Sequence, residues 1–114
     1  MDLSLLIGGD THAAQQDATF TRHNPLSGEA VTRAAAASAD DARAAAEAAS
    51  RAFPAWSATG PGERRAKLLA AADAMEARQA DFIARMVDET GATPGWAGFN
   101  VMVAANMLRE AASL

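Results

Sequence analysis

Residues 38–91 form one long stretch in which alanine alternates with charged residues and larger apolar side chains recur at helical spacing. Ser38 and Asp41 at its start have the form of a capping box, in which a hydroxyl and a carboxylate satisfy free backbone N–H groups of a helix. Pro54 has no N–H and disfavours the α-helical region for the residue before it. The sequence therefore predicts a first helix that begins after Ser38 and stops at Phe53.

Two more helices are predicted within the same stretch, and a fourth after it. Pro61 follows Gly60 and occupies the favoured first position of the second helix. The third helix is expected to end at Gly91, because glycine is the usual left-handed cap. Pro94 marks the start of the fourth helix. A chain with this pattern is expected to be mostly α-helical.

The first 37 residues have a different pattern, in which short apolar runs alternate with turn residues. They predict three short strands, at 3–7, 20–23 and 31–36. Gly8-Gly9 closes the first strand, and residues 12–19 are expected to form a loop. Turn chemistry in residues 24–29 makes the second and third strands antiparallel neighbours. The predicted fold class is mostly α with a short N-terminal β meander, with residues 1–37 as the meander and loops and residues 38–114 as the helical segment.

Composition excludes several classes of function. Half of the residues are hydrophobic, but 32 are alanine, so the core is thin, because stabilisation follows the apolar area that is buried. A net charge of −4 argues against a nucleic-acid partner, which needs a basic surface. The chain has no cysteine, and it has no uninterrupted apolar run long enough to span a membrane. Asp2 precedes the first apolar run where a signal peptide would have a basic residue, so a cytoplasmic location is expected.

Few residues are candidates for chemistry. His12 and His23 stand alone in polar surroundings and are expected to lie in surface loops, without metal-ligand spacing. Asp40 and Asp41 could form an acid–base pair, but capping of the helix explains both. Gly8-Gly9 is too short to hold a phosphate. No catalytic constellation, no cofactor-binding motif and no metal site is predicted in these 114 residues.

The fourth helix is apolar nearly all round. Trp96, Phe99, Val103 and Met107 share one face, while other apolar side chains cover the remaining faces. A helix of this kind is expected to be covered on several sides. No further element of the sequence is present to cover it, so the chain is expected to be a piece of something larger.

The chain resembles the N-terminal portion of an NAD(P)-dependent aldehyde dehydrogenase, and the order and spacing of its motifs match along nearly the whole length. The residues that carry the resemblance are Ile7-Gly8-Gly9, Asn24-Pro25, Gly28-Glu29, Ala45, Ala49, Ala52-Phe53, Trp56, Glu63-Arg64, Leu68-Leu69 and Glu89-Thr90-Gly91. The final run, 95–112, resembles the branch of the family that acts on aromatic aldehydes, such as salicylaldehyde and vanillin dehydrogenases.

The resemblance implies a fragment of the α/β fold of that family, from its N-terminal cofactor domain, in an enzyme roughly four times longer. The family's nucleophilic cysteine, glutamate base and cofactor-binding loop have no counterpart in this sequence. NAD or NADP is therefore expected to bind the longer enzyme and not the isolated chain. The expected partners are the remainder of the dehydrogenase chain and further copies of it in a homo-oligomer.

The resemblance also implies a place for the fourth helix, because the matching helix of the family lines the entrance to the aldehyde pocket. It transfers that role to Trp96, Phe99, Asn100 and Val103. The alternative interpretation is that these side chains only pack the helix into the core. A different class of function also remains open, namely a helical module without catalytic activity that binds another protein through this helix.

Overall fold

The computed structural model describes residues 1–114, which divide into two units, Met1–Ala58 and Thr59–Leu114. The first unit contains five strands, β1 (Asp2–Leu3), β2 (Leu5–Ile7), β3 (Asp10–His12), β4 (Thr19–His23) and β5 (Ala30–Ala35), a 3-10 helix (Gln15–Asp17) and helix α1 (Ala39–Ala58). The second contains helices α2 (Pro61–Ala77), α3 (Gln79–Thr90) and α4 (Pro94–Ala111). The predicted fold, mostly helical with short N-terminal strands, is confirmed.

Strand β5 is the centre of the first unit's main sheet, whose order is β1-β5-β4. Strands β4 and β5 are antiparallel, as predicted, with Phe20 opposite Ala34. Between them, Asn24 Oδ1 accepts hydrogen bonds from the N–H groups of Leu26 (2.8 Å) and Ser27 (3.1 Å). This side chain supplies the turn chemistry expected there. Strand β1 is parallel to β5, a pairing that a simple meander does not contain.

The predicted single strand at residues 3–7 is wrong, because the chain divides there between two sheets. Gly8 and Gly9 both have positive φ angles, 66° and 97°. This is the conformation of a two-residue hairpin turn, and glycine adopts it without steric cost. The turn pairs β2 with β3, which leaves β1 to pair with β5. The loop predicted from His12 onward is also wrong at its start, because His12 ends β3. Strand β3 could not be recognised from the sequence, because its three residues are polar and exposed and show no alternation of apolar and polar side chains.

The capping box at the start of α1 is confirmed. Ser38 Oγ accepts from the N–H of Asp41 (3.1 Å), and Asp41 Oδ2 accepts from the N–H of Ser38 (2.8 Å). The same carboxylate oxygen accepts from the N–H of Gln15 (3.3 Å). These backbone and side-chain hydrogen bonds, first of all the one from the Ser38 N–H, lower the pKa of Asp41.

The predicted end of α1 at Phe53 is wrong, because the helix continues through Pro54 to Ala58. Proline removes one hydrogen bond, the one to the carbonyl of Ser50. Ser50 is exposed, so water can satisfy that carbonyl. Ser57 Oγ donates to the carbonyl of Pro54 (2.9 Å) in the last turn.

The predicted start of α2, end of α3 and start of α4 are confirmed. Gly60 is the N-cap of α2, with Pro61 in the first turn. Gly91 caps α3 in the left-handed conformation, at φ 69°. Helix α4 begins at Pro94, and Thr93 Oγ1 accepts from the N–H of Trp96 (3.3 Å).

Helix α4 is the centre of the second unit, since both α2 and α3 pack against it. The residues that are completely buried in this unit are alanines, Ala72 of α2 and Ala97 and Ala105 of α4. Val101, between the two alanines of α4, is 7% exposed. Alanine side chains let helix backbones approach closely, but they bury little apolar area.

The buried alanine of α2 gives a direct test of this packing. Leucine in place of Ala72 must displace neighbouring atoms in a filled interior, so Ala72→Leu is expected to destabilise the chain by about 1–3 kcal/mol. The adjacent Ala71 is exposed and provides the matched control. Ala71→Leu is expected to change the free energy of unfolding by less than about 0.5 kcal/mol. Urea unfolding followed by far-UV circular dichroism measures both, and equal midpoints for the two variants would contradict the packing described.

Candidate functional site

Helix α4 has an inner face of small residues and an outer face of large ones. Ala97, Val101 and Ala105 follow one another at four-residue steps and are buried. Trp96, Phe99, Val103 and Met107 recur at three- and four-residue steps, and the helical period places them on the opposite side. Trp96 is 56% exposed, Phe99 49% and Met107 66%, while Val103 is half-buried. The largest apolar side chains of this helix therefore lie outside the core of their own unit.

Trp96 and Phe99 form an aromatic pair on this outer face. Their ring centroids are 5.5 Å apart, and the planes are inclined by 23°, so the rings are stacked. Aromatic pairs of this kind prefer offset stacking and gain stability beyond the area that they bury. The pair presents a flat apolar surface, which can contact an aromatic or aliphatic molecule.

Asn100 lies at the edge of the outer face, and its amide is already in use. Asn100 Nδ2 donates to the backbone carbonyl of Trp96 (2.8 Å), which fixes the side chain against its own helix. This bond assigns the amide orientation and leaves Oδ1 as a hydrogen-bond acceptor.

Phe99 and Asn100 border two different recesses of the second unit. Phe99 lines one of about 600 Å³, together with Gln79, Gly98 and Met102. Asn100 lines one of about 320 Å³, where Met75, Phe82 and Met86 supply much of the apolar wall. The structure thus brings Trp96, Phe99 and Val103 onto one face, and it places Asn100 beside that face with contact to a separate recess.

A cluster of charged side chains, the Arg109 cluster, joins α4 to α2. Arg109 Nη1 donates to Glu76 Oε1 and its Nη2 donates to Glu76 Oε2, both at 2.7 Å. Nη2 also donates to Asp73 Oδ1 at 2.9 Å. Two parallel hydrogen bonds to one carboxylate are the geometry that suits a guanidinium, and they fix direction as well as distance.

The Arg109 cluster shifts the pKa of its members. The hydrogen bond from Arg109 lowers the pKa of Glu76 below its ordinary value of 4.5. The hydrogen bonds to Glu76 and then Asp73 raise the pKa of Arg109, so the guanidinium stays charged. No motif or spacing in the sequence identified this cluster. The signal available was that Arg109 is the one basic residue of a mainly apolar helix, while Asp73 and Glu76 are three residues apart on α2.

The polar candidates of the first unit do not assemble into a site. His12 and His23 are exposed, as expected. His12 ends β3 instead of lying in the predicted loop, whereas His23 ends β4, the strand predicted at 20–23. Asp41 serves as the cap of α1, and Gly8-Gly9 form a hairpin turn that leads into a strand. No group of three or more histidine or acidic side chains is arranged to hold a metal ion. None of the helices has the length and apolar character that crossing a membrane requires.

The family of this chain follows from its similarity to known proteins. Residues 12–114 match the sequence profile of the Aldehyde dehydrogenase family. The chain belongs to the aldehyde dehydrogenase family. The resemblance found in the sequence is therefore confirmed at the level of the family.

Aldehyde dehydrogenases named for aromatic aldehydes are similar to the chain along its whole length. A vanillin dehydrogenase of Pseudomonas fluorescens is 54% identical over 114 residues, which are 100% of this chain and 23% of the relative. A salicylaldehyde dehydrogenase of Pseudomonas putida is 46% identical over 114 residues, 100% of this chain and 24% of the relative. The chain thus spans about a quarter of the length of these relatives, at their N-terminal end.

Solved aldehyde dehydrogenase structures have the same fold in this region. The crystal structure of the salicylaldehyde dehydrogenase from Pseudomonas putida G7 complexed with salicylaldehyde matches with a TM-score of 0.97 at 46% identity, over 100% of this chain and 24% of that one. An NAD-dependent benzaldehyde dehydrogenase from Corynebacterium glutamicum matches with a TM-score of 0.90 at 32% identity, over 95% of this chain and 24% of that one. The arrangement of strands and helices described above is that of the aldehyde dehydrogenase N-terminal region.

The lowered pKa of Glu76 predicts acid-sensitive packing of α4. A carboxylate whose pKa is lower in the folded state adds stability above its unfolded pKa, and that stability is lost as the pH falls through the folded value. The chain is therefore expected to lose stability below pH 4.5, and Glu76→Gln is expected to weaken that loss. Urea midpoints between neutral pH and about pH 3 measure the effect. Glu110→Gln, at an exposed position of α4, is the control and should retain the pH dependence of the unmodified chain.

Proposed function

We propose that this chain is the N-terminal part of an enzyme that oxidises aromatic aldehydes to carboxylic acids with NAD or NADP, and that the outer face of α4 forms part of the wall of its aldehyde pocket. The observation that carries the proposal is the stacked pair of Trp96 and Phe99, about half exposed on the face of α4 that points away from its own core. Relatives that are named for vanillin, salicylaldehyde and benzaldehyde support the aromatic class of substrate. The alternative, a binding module without catalytic activity, is not favoured, because the relatives that cover the whole chain are enzymes.

The residues present do not fit the dinucleotide or the reacting centre. The chain has no cysteine to act as the family's nucleophile. Its Gly8-Gly9 turn enters a strand, whereas a phosphate-binding glycine turn precedes the N-terminus of a helix. We assign dinucleotide binding and nucleophilic attack to the remainder of the enzyme, which the family resemblance implies. The part of this chain in the proposed reaction is to shape the aldehyde pocket and to support the cofactor domain.

An aromatic aldehyde suits the outer face of α4 for a physical reason. A substrate ring that meets Phe99 or Trp96 edge-to-face or offset-stacked gains about 0.5–1.5 kcal/mol beyond the burial of its surface. A small aliphatic aldehyde gains none of this contribution. The face therefore favours aromatic over aliphatic substrates at the step where the aldehyde enters.

Asn100 gives the proposed wall a polar group at its edge. Because its Nδ2 is bonded to the Trp96 carbonyl, the side chain offers Oδ1 as an acceptor. A ring hydroxyl is a donor that this oxygen can accept from. We propose that Asn100 favours hydroxylated aromatic aldehydes, since a site built for a hydroxyl rejects an analogue that lacks one.

The proposal includes the setting of the enzyme. Its partners are the remainder of its own chain and further copies in a homo-oligomer, as in the family that the chain resembles. A cytoplasmic location completes it, because the oxidation consumes an intracellular dinucleotide.

Substitution of Phe99 tests the pocket wall. The test enzyme is a hybrid in which residues 1–114 replace the matching segment of the salicylaldehyde dehydrogenase of Pseudomonas putida, here called the hybrid enzyme. Phe99→Ala is expected to lower kcat/KM for salicylaldehyde by about tenfold, since ~1.4 kcal/mol is a factor of ten. The value for acetaldehyde is expected to change much less.

The control for Phe99→Ala is Phe53→Ala, the same substitution at an exposed phenylalanine of α1. It should leave the ratio of the two kcat/KM values unchanged. If Phe99→Ala reduced both substrates equally and in step with a lower melting temperature, Phe99 would be a packing residue and the proposed wall would be wrong.

Activity of the isolated chain is a second test. Residues 1–114 alone are expected neither to reduce NAD in the presence of benzaldehyde nor to bind NAD, because the nucleophile and the cofactor loop are assigned elsewhere. Absorbance of NADH and equilibrium dialysis with NAD are the two measurements, and the hybrid enzyme is the positive control. Aldehyde-dependent NADH formation by a pure sample, abolished by substitutions in this chain, would refute the assignment.

A further inference from the structure

The Arg109 cluster differs in kind from the simple ion pairs of the chain. Lys67 and Glu63, at 2.7 Å, and Arg51 and Glu47, at 3.8 Å, are pairs one turn apart on the same helix. Such pairs lie within one helix and add little to the stability of an exposed helix surface. Arg109 instead reaches across from α4 to two carboxylates of α2, residues 73 and 76, and its side chain is only 33% exposed.

The apolar contact between α2 and α4 has little means of fixing its own register. The fully buried residues on the two helices are alanines, and Val101 is the one larger apolar side chain that is buried among them. Large side chains that interlock resist sliding, whereas methyl groups present a smooth surface. A slip of one residue along the axis moves a helix by about 1.5 Å, and a slip of one turn moves it by about 5.4 Å. Directional hydrogen bonds between the helices can select one register. Arg109 makes three of them, at 2.7–2.9 Å, and Arg65 Nη1 of α2 makes a longer one, at 3.5 Å, to the carbonyl of Ala112 at the end of α4.

We propose that Arg109, held by Glu76 and Asp73, is a positioning residue that sets the axial register of α4 on α2 and so sets the position of Phe99 in the aldehyde pocket. The inference rests on the proposed function for its link to the substrate. Phe99 lies ten residues before Arg109 on the same helix, about 15 Å along its axis. Because the helix is continuous between them, displacement of one end displaces the other. An axial shift of the Phe99 ring changes its contact with a bound substrate ring, because aromatic pairs require ring centroids about 4.5–7 Å apart.

The first measurement is the register itself, in residues 1–114. The chain has no cysteine, so spin labels can be attached at two introduced sites, Ala71→Cys on α2 and Ala111→Cys on α4, both of which are exposed. Arg109→Met keeps the length of the side chain and removes its charge and its donors. It is expected to shift or broaden the label–label distance by about one to a few residue steps of 1.5 Å.

Two further variants complete this measurement. Arg109→Lys keeps the charge but lacks the two-pronged geometry, so an intermediate distribution is expected. It also serves if Arg109→Met fails to fold. Arg43→Met is the matched control, since Arg43 is paired with Asp40 on its own helix. It should leave the distance unchanged.

The second measurement is kinetic and uses the hybrid enzyme. Arg109→Met is expected to raise KM for salicylaldehyde by about fivefold while kcat stays within about twofold, because the wall is displaced but the reacting groups are not. KM for acetaldehyde should not change. Arg109→Lys is expected to restore part of the affinity, whereas a purely structural role would lower the melting temperature without this split.

The outcomes separate this inference from the proposed function. An unchanged label distance in Arg109→Met, while Phe99→Ala still impairs salicylaldehyde more than acetaldehyde, would overturn the role of Arg109 and leave the proposed wall intact. A changed distance without a change in KM for salicylaldehyde would also overturn it. An equal effect of Phe99→Ala on both aldehydes would refute the wall, and with it the link from Arg109 to the substrate.

Discussion

The packing of α4 through alanine is the constraint on which the second unit depends. Ala97 and Ala105 are completely buried, and helices α2 and α3 both pack against this helix. Small side chains allow close approach of the helices, and at Gly98 even an added Cβ would come within 3.4 Å of Ile83 Cδ1. Because the inner face is filled mainly by alanine, with Val101 between two alanines, the largest apolar side chains of α4 have no place inside. They occupy the outer face, where they are available to a neighbour or a ligand.

The same packing explains why a polar cluster matters here. An interface of methyl groups stabilises through a small buried area and specifies register weakly. Arg109 adds direction, because its two prongs match one carboxylate of Glu76 and a third bond reaches Asp73. The alanines thus supply the buried contact between the helices, whereas Arg109 supplies directional hydrogen bonds to Glu76 and Asp73. The loss of stability that we expect at low pH follows from this division, since protonation of Glu76 weakens its hydrogen bonds with Arg109 and leaves the alanine contact in place.

The sequence predicts those parts of the fold whose causes are local. The Ser38–Asp41 capping box, Pro94 and Gly91 act within one turn of a helix, and all three are found where expected. Pro54 also acts locally, but its penalty does not end the helix, which continues to Ala58. Strand β3 escapes prediction because exposed polar residues carry no periodic signal. Neither error could be corrected without knowing the neighbours in space.

The sequence also predicts only part of the candidate site. The shared face of Trp96, Phe99 and Val103 follows from helical period alone, so the sequence predicts it. That this face is the outer one does not follow from the sequence, because burying a tryptophan or phenylalanine removes more apolar area from water than burying an alanine. Volume decides the matter: close contact of α4 with two helices requires small residues, and the larger ones must turn outward. The Arg109 cluster joins residues 33 and 36 positions apart, a relation that no local pattern contains. An exposed aromatic face outside a thin core, and polar contacts from Arg109 and Arg65 between α2 and α4, therefore both accompany a helix interface built from alanine.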